Sequence, residues 1–178
     1  MVVARLPPTL EPMSALTYRR LSPSLSADAV TFLEVFRGTP SFVFPTDGRA
    51  PTELEVFEMM SKIPSGHTSD DVFIHAISAE GTLRGCSVTV RAYPTQQAAF
   101  LALLLIVESA QGKSLGPRVL RHIEGEAKSW GCCSIVAAVD SCNERALSFW
   151  LREGFVEQFR KESQGFMGQA VRIEKNVL

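Results

Sequence analysis

The sequence has few cysteines, and they are not spaced for a disulfide framework or a structural zinc site. Its 178 residues include 4 cysteines, of which Cys132 and Cys133 are adjacent, and there is no Cys-x-x-Cys pair. Structural zinc sites and disulfide scaffolds depend on such regular spacings. The 3 histidines, His67, His75 and His122, are too far apart along the chain to suggest a metal cluster. We therefore predict a reduced, cytoplasmic protein without a metal site.

An excess of positive charge and a long hydrophobic run are also lacking. The formal net charge is -1, whereas broad nucleic-acid binding needs a basic surface. The most apolar run, Ala98 to Val107, has about half of the ~20 residues that span a bilayer as a helix. The first 13 residues contain one Arg and no apolar core, unlike a signal or transit peptide. We expect a soluble protein with neither a nucleic-acid nor a membrane partner, and a flexible tail over residues 1–14.

One α/β domain over residues 15–178 is predicted from the order of the apolar segments. Three such segments between residues 72 and 107 are joined by short polar turns, which is typical of an antiparallel meander. Residues 113–130 and 143–153 show the three- and four-residue apolar spacing of helices, with a buried strand between them and two strands after them. The expected fold is a mixed, mainly antiparallel central sheet that is flanked by helices.

The stretch VESAQGKSLG contains Gly-Lys-Ser, the three residues that end the phosphate loop of nucleotide hydrolases. That loop also needs a glycine five residues before the second glycine, because its backbone must curl around the phosphates. Val107 occupies that position, and a β-branched residue is a poor substitute. A nucleotide kinase or hydrolase is therefore disfavoured, and its need for magnesium and ATP would distinguish it from other functions.

The same segment has the features of an anion site at the start of a helix. Free backbone N–H groups and the helix dipole favour a negative ligand there. Pro117 suits the first turn because its missing N–H has no partner to lose, and Arg118 and Arg121 make the helix start locally basic. A pyrophosphate would fit this site. The alternative is that the glycines only make a tight strand-to-helix connection and the basic residues form a solvated face.

Two motifs resemble the GNAT superfamily of N-acetyltransferases. AQGKSLGPRVLRHI is similar to the acetyl-CoA loop of that family, Gln/Arg-x-x-Gly-x-Gly/Ala, with Gln111 and Gly116 matching and Ser114 replacing the usual glycine. NERALSFWLREGF looks like the second signature, Asn-x-x-Ala-x-x-Phe-Tyr-x-x-x-Gly-Phe, with Trp150 in place of tyrosine. The order of elements fits the family over roughly residues 15 to 176. The residues matching the second signature are Asn143, Ala146, Phe149, Gly154 and Phe155.

The resemblance implies transfer of an acetyl group from acetyl-CoA to an amine. It implies that loop amides hold the pyrophosphate, that the pantetheine arm pairs with the end of the preceding strand, and that Asn143 contacts the arm as well as capping a helix. It also implies that a backbone N–H near Val107 stabilises the oxyanion. The residues implied to bind acetyl-CoA are Leu105, Ile106, Val107, Gln111, Gly112, Lys113, Ser114, Leu115, Gly116, Asn143, Phe149 and Trp150.

The proton-transfer groups are less well defined by the resemblance. The family's tyrosine commonly protonates the departing thiolate, but the indole N–H of Trp150 is not an acid in the working pH range. Either the thiolate leaves without full protonation, or Ser148, Cys142 or Tyr93 acts through water. Trp150 itself is expected in the core. The candidate general bases are Glu108, just past the strand, and Asp140, at the end of the next strand.

Substrate choice in this family comes from the first helices, the loop between them and the closing strands. Phe42, Phe44, Phe57 and Met59 are apolar residues of that region, and its acidic residues could attract a cationic amine. We expect the acceptor to be a small amine, an amino acid or a peptide end, and a homodimer is possible. The alternative is a noncatalytic acyl-CoA-binding protein on the same fold, because Ser114 and Trp150 depart from the family pattern. The acidic residues are Asp47, Glu53, Glu55 and Glu58.

Overall fold

The computed structural model describes residues 15–42 and 49–177. The predicted tail over residues 1–14 lies outside the described residues, as do Phe44 and Asp47 of the proposed substrate region. The rest of the predicted domain forms helices and strands in the expected order.

The described residues contain one mixed sheet with the strand order β1-β2-β3-β4-β5-β7-β6. Neighbouring strands are antiparallel except for β4 and β5, which are parallel. This confirms the predicted mixed, mainly antiparallel sheet. The strands are β1 Leu16–Arg20, β2 Val72–Ala79, β3 Thr82–Val90, β4 Ala98–Ile106, β5 Ser134–Asp140, β6 Val156–Glu162 and β7 Gln169–Asn176.

Helices cover one face of the sheet more completely than the other. The principal helices of the described residues are α1 Ser26–Arg37, α2 Glu53–Met60, α3 Leu115–Ser129 and α4 Glu144–Arg152, and residues 40–42 are also helical. Apolar side chains of α3 and α4 pack on residues of β2, β4, β5 and β7 in one cluster. Those of α1 and α2 pack only on residues of β2, β3 and β4 in a second cluster on the opposite face. Among residues 15–42 and 49–177, α1 and α2 therefore leave the second face open over β5, β7 and β6.

None of the helices in the described part of the chain is long and apolar enough to cross a membrane.

The short helix α2 begins at a reciprocal cap, in which Thr52 accepts from the Glu55 N–H and the Glu55 carboxylate accepts from the Thr52 N–H. Two otherwise unpaired donors are satisfied in this way. Glu55 also binds Arg49 at 2.6 Å, so its charge is already neutralised locally.

Strands β4 and β5 pair only at their first halves. Their register runs from Ala98 with Ser134 to Leu101 with Ala137 and ends there. Next to this point Ala102 has no partner on β3, since Val88 pairs with Leu103 and Thr89 with Leu101. Such a bulge bends a strand and increases its twist. The carboxyl-terminal halves of β4 and β5 therefore diverge, and we call the space between them the gap.

A cluster of titratable side chains lies where α3 packs on β1 and β2, away from the gap. His75 of β2 is 7% exposed, and its Nε2 atom lies 3.8 Å from Glu126 Oε1 on α3. His122 Nε2 lies 3.7 Å from the same oxygen, and the His122 ring stacks on Tyr18 with centroids 3.5 Å apart. No group of three or more His, Cys, Asp or Glu in residues 15–42 and 49–177 could hold a metal ion.

Burial of His75 couples the stability of the fold to pH. Desolvation lowers the pKa of His75 to about 4, and the charges of His122 and Arg20 act in the same direction. Between pH 6.5 and about 4 the unfolded chain therefore binds more protons at this residue than the folded one. Stability contributed by neutral His75 is lost as the pH falls through that window, up to about 3 kcal/mol at ~1.4 kcal/mol per unit of pKa.

We expect the free energy of unfolding to fall more steeply between pH 6.5 and 4.5 in the wild type than in His75→Gln, which cannot titrate. Urea unfolding of both proteins across this range measures the difference. The comparison is needed because burial raises the pKa of Glu126, and a raised carboxyl pKa contributes with the opposite sign. Parallel pH profiles for the two proteins would show that His75 does not titrate as described.

Candidate active site

The connection from β4 to α3 is held against the end of the strand. A short 3-10 turn over Glu108–Ala110 follows β4, and the Gln111 side-chain amide then donates to the carbonyl oxygen of Ile106 at 2.8 Å. Gly112 next adopts a left-handed conformation with φ of +74°. This conformation suits glycine, and it reverses the chain towards the first turn of α3.

Ser114 is the N-cap of α3, but its side chain makes no capping hydrogen bond. Its backbone has φ of 56° and ψ of 21°, a left-handed conformation that costs a residue with a Cβ roughly 1–2 kcal/mol. The N–H groups of Leu115 and Gly116 stand at the start of the helix, where unpaired donors and the dipole favour an anion. The loop thus keeps the glycine-like backbone although serine replaces the glycine.

The start of α3 lies against α4 through the close approach of Gly116 and Phe149. A Cβ atom on Gly116 would stand 3.1 Å from the Phe149 ring, tighter than ordinary van der Waals contact. A side chain at this position would displace the ring. The loop before α3 and the second motif therefore meet at this contact.

Asn143 is the N-cap of α4, as its position in the second motif predicts. Its Oδ1 atom accepts a hydrogen bond from the Ala146 N–H at 3.0 Å. The cap uses only the oxygen, so the side-chain NH2 group can still donate to a ligand.

Trp150 is a core residue. It is 8% exposed, and its ring packs edge-on against Phe149 at 4.9 Å and Phe155 at 5.1 Å between centroids. The indole therefore stabilises α4 against the sheet, as the sequence analysis expected of it. An acidic proton donor is not supplied at this position.

The backbone of β4 differs from our expectation at Val107. The Val107 N–H donates to the carbonyl oxygen of Arg84 on the β3 side at 2.9 Å, so it is already paired and is not directed at the gap. Successive residues of a strand direct their N–H groups to opposite sides. Leu104 and Ile106, which alternate with Val107, therefore direct their N–H groups towards the gap.

The two candidate bases hold loops in place. Glu108 accepts a hydrogen bond from the Ser41 N–H at 2.7 Å, and its own N–H donates to the Gly38 carbonyl at 2.8 Å. Hydrogen bonds from the side chain and backbone of Ser41 lower the pKa of Glu108. Glu108 therefore fastens the segment after α1 to the end of β4.

Asp140 also holds a loop in place, at the end of β5. Its carboxylate accepts from the N–H groups of Cys142 at 2.9 Å, Met167 at 2.6 Å and Gly168 at 3.1 Å. Burial raises the pKa of Asp140, but these backbone hydrogen bonds outweigh burial and the pKa is lowered. Both carboxylates are thus ionised and engaged at neutral pH, whereas a general base works best with a pKa near the working pH.

The open face carries a groove of about 260 Å³ that the sequence analysis did not identify. Its residues come from the β3–β4 turn, from β4 and β5, and from the β6–β7 hairpin. They are too far apart in the chain to form a motif, which is why sequence reasoning missed them. We call this the open groove. It is lined by Tyr93, Pro94, Phe100, Val136, Ala137, Ala138, Phe159, Lys161, Ser163, Phe166, Ala170 and Arg172.

Comparison with known families decides the identity of the fold. The sequence model of the acetyltransferase (GNAT) family matches residues 35–155, a range that includes β4, the loop after it and the motif of α4. The chain belongs to this family. The GNAT assignment agrees with both sequence motifs. A search of curated proteins gave no match.

Solved structures show the same GNAT fold. An acetyltransferase from Thermus thermophilus has a TM-score of 0.72 at 22% identity, with 90% of this chain and 96% of that chain covered. An aminoglycoside acetyltransferase in complex with coenzyme A gives 0.69 at 20% identity, with coverage of 91% and 95%. An acetyltransferase structure from Salmonella typhimurium with its cofactor acetyl-CoA gives 0.62 at 14% identity, covering 92% and 95%.

The left-handed backbone of Ser114 leads to a prediction about the loop. Ser114→Gly should raise the free energy of unfolding by about 0.5–1 kcal/mol, since glycine removes the Cβ clash and part of the gain is offset by its greater freedom when unfolded. Gly112→Ala is the matched control and should lower it by about 1 kcal/mol, because the backbone there has φ of +74°. Urea unfolding measures both. A destabilised Ser114→Gly protein would show that the serine side chain supports the loop.

Proposed function

We propose that the protein is an N-acetyltransferase that uses acetyl-CoA and acetylates a primary amine of a small molecule, an amino acid or a peptide within a ternary complex. The observation that carries this proposal is the gap between β4 and β5. The gap exposes N–H groups of β4 beyond Leu101, and the loop that follows β4 leads to the start of α3, which has no side-chain cap. The four cysteines are unpaired, and we place the enzyme in the reducing cytoplasm.

Each part of acetyl-CoA has a suitable partner in the loop before α3, at the edge of β4 or at the start of α4. The loop from Gln111 to Gly116, including Gly112, Lys113, Ser114 and Leu115, would hold the pyrophosphate through backbone N–H groups at the helix start. The pantetheine arm would add to the open edge of β4 over Leu105–Val107, as an extended peptide adds to a sheet edge. The side-chain NH2 of Asn143 would donate to the arm, and Phe149 would pack beside it.

The gap-facing amides of β4 are suited to the chemical step. A neutral acceptor amine attacks the thioester carbon, a C–N bond forms, and the carbonyl oxygen takes up negative charge. We assign stabilisation of this oxygen to the N–H groups of Leu104 or Ile106, in place of Val107. The C–S bond then breaks and its electron pair leaves on sulfur, while the extra amine proton passes to solvent.

The proposed reaction needs neither a strong general acid nor a strong general base. A thiol has a pKa of ~8.5, so the thiolate can depart near neutral pH without an acid at position 150. Glu108 has a lowered pKa and its carboxylate is engaged with the Ser41 N–H, so it would contribute little to removal of the amine proton. Positioning of the amine against the thioester and stabilisation of the oxyanion would then provide most of the rate enhancement.

A second candidate function is noncatalytic binding of acyl-CoA. It is favoured by the burial of Trp150 at the family's tyrosine position and by the engagement of Glu108 and Asp140 in loop hydrogen bonds. Both functions require acetyl-CoA binding. Release of CoA in the presence of an amine library distinguishes them, because only the enzyme turns over.

Calorimetric titration with acetyl-CoA, with magnesium-ATP as the control ligand, tests the proposed site. We expect saturable binding of acetyl-CoA and none of ATP.

Asn143→Ser keeps a good N-cap and removes the NH2 donor. Its affinity for acetyl-CoA should therefore fall about fivefold to tenfold for one lost hydrogen bond, with stability unchanged. Asn143→Ala should also lose about 1 kcal/mol of stability. Equal acetyl-CoA affinity in all three proteins would exclude Asn143 from the site.

The position of Trp150 in the core gives a second prediction. Trp150→Tyr should lower the free energy of unfolding by about 1–3 kcal/mol through lost packing and should leave kcat within about threefold of the wild type, since this side chain does not protonate the thiolate. Steady-state rates from pH 6 to pH 10 measure the effect. A rate increase of tenfold or more, with a new loss of activity at alkaline pH, would show that a tyrosine here reaches the sulfur.

A further inference from the structure

The open groove begins where the acetyl group would be presented. Its wall on β5 runs from Val136 to Ala138, and Ala137 is the last residue of β5 that pairs with β4. The upper end of the groove is therefore continuous with the gap. Because α1 and α2 cover only β2 to β4 on this face, an amine can reach the gap along the groove.

The walls of the groove are aromatic. Phe100 lies on β4, Phe159 on β6 and Phe166 in the β6–β7 turn. Phe159 is 44% exposed, whereas Phe100 and Phe166 are half-buried, and aromatic side chains that line a concave site are typical of ligand pockets. The volume of about 260 Å³ is just below the range of roughly 300–1,000 Å³ of sites for drug-sized ligands. These features suit one apolar body of about the size of an aromatic ring.

The charged residues of the groove are both cations. Lys161 and Arg172 line it, and no Asp or Glu does. Among the ion pairs of the described residues, neither cation has a carboxylate partner. Arg172 lies beside Ala138 on the adjacent strand β7, and its guanidinium carbon stands 5.6 Å from the Phe159 ring centroid. A planar guanidinium in such a position binds a carboxylate well.

The spacing of these groups sets the shape of the ligand. Adjacent strands are about 4.8 Å apart, and the guanidinium of Arg172 lies over the ring of Phe159, which belongs to β6, the second strand from β5 in the sheet. The anionic end of a ligand would thus lie about 10 Å, or two strand spacings, from the gap. An aromatic ring with substituents at opposite ends spans roughly that distance.

We propose that the acceptor is an amine with a ring-sized apolar body and a carboxylate at the end opposite to its nitrogen, and that Arg172 binds this carboxylate. This inference rests on the proposed acetyl transfer. The reaction is unchanged: the C–N bond forms, the C–S bond breaks, and the carboxylate takes no part in the chemistry. Arg172 acts as a specificity residue.

Three amines that share one skeleton test this. 4-(2-Aminoethyl)benzoate carries a distal carboxylate, L-phenylalanine a proximal one, and 2-phenylethylamine none. CoA release with each amine gives kcat/KM. We expect the distal acid to exceed both other amines by about tenfold or more, as a charge-assisted hydrogen bond implies.

Variants of Arg172 assign the effect to this residue. Arg172→Gln should lower kcat/KM for the distal acid about 10-fold to 100-fold and leave 2-phenylethylamine unchanged, while Arg172→Lys should retain most of the preference. Arg160→Gln is the control. It removes a cation from β6 that pairs with Glu157 at 2.8 Å and lies opposite Val171, a residue that is buried against α3 and α4. This variant should match the wild type.

The outcomes separate the inference from the proposed function. Three results would overturn the assignment of Arg172 and leave acetyl-CoA binding intact. The first is acetyl-CoA binding without acetylation of any of the three amines. The others are equal use of the distal acid and 2-phenylethylamine, and an unchanged preference in Arg172→Gln. Absence of acetyl-CoA binding in calorimetry would overturn the proposed function, and the inference would fall with it.

Discussion

The separation of β4 from β5 after Leu101 is the constraint on which the site depends. Paired strands would use the N–H groups of Leu104 and Ile106 in ladder hydrogen bonds. The bulge at Ala102 ends that pairing and frees one edge of a central strand within the sheet. An exposed strand edge is normally a liability. Here the edge faces the gap, and the pantetheine arm that we propose as its ligand would pair with it in place of another protein strand.

The same separation brings three unlike surfaces together. The start of α3 offers donors for an anion above the gap, β4 offers amides within it, and the open groove offers an apolar path from the side. The contact between Gly116 and Phe149 holds the start of α3 against α4. Asp140 holds the β6–β7 turn beside the open groove. Both contacts join residues that are far apart in the sequence, and they hold the loops in place around the gap.

Short-range patterns in the sequence predicted much of this arrangement, because caps, loops and strand periodicity depend on neighbouring residues. Asn143 caps its helix as the second motif predicts, and Trp150 is buried as expected. The pairing of the Val107 N–H with Arg84 was not predictable, since it depends on the register of β3 against β4. The open groove was missed for the same reason. Its residues meet only through strand order, which no local pattern specifies.

The charge of the open groove bears on how an amine becomes a nucleophile in a site without a tuned base. Lys161 and Arg172 both line the groove, so their positive charge repels a protonated amine and favours entry of the neutral form. An uncharged acceptor would gain reactivity there but would lose attraction to the site. A carboxylate on the same molecule would restore the attraction, because it pairs with the cations at a distance from the nitrogen. The two cations would then contribute to acceptor binding and to exclusion of the protonated amine, a selection that Glu108 and Asp140, engaged with loop amides, do not provide.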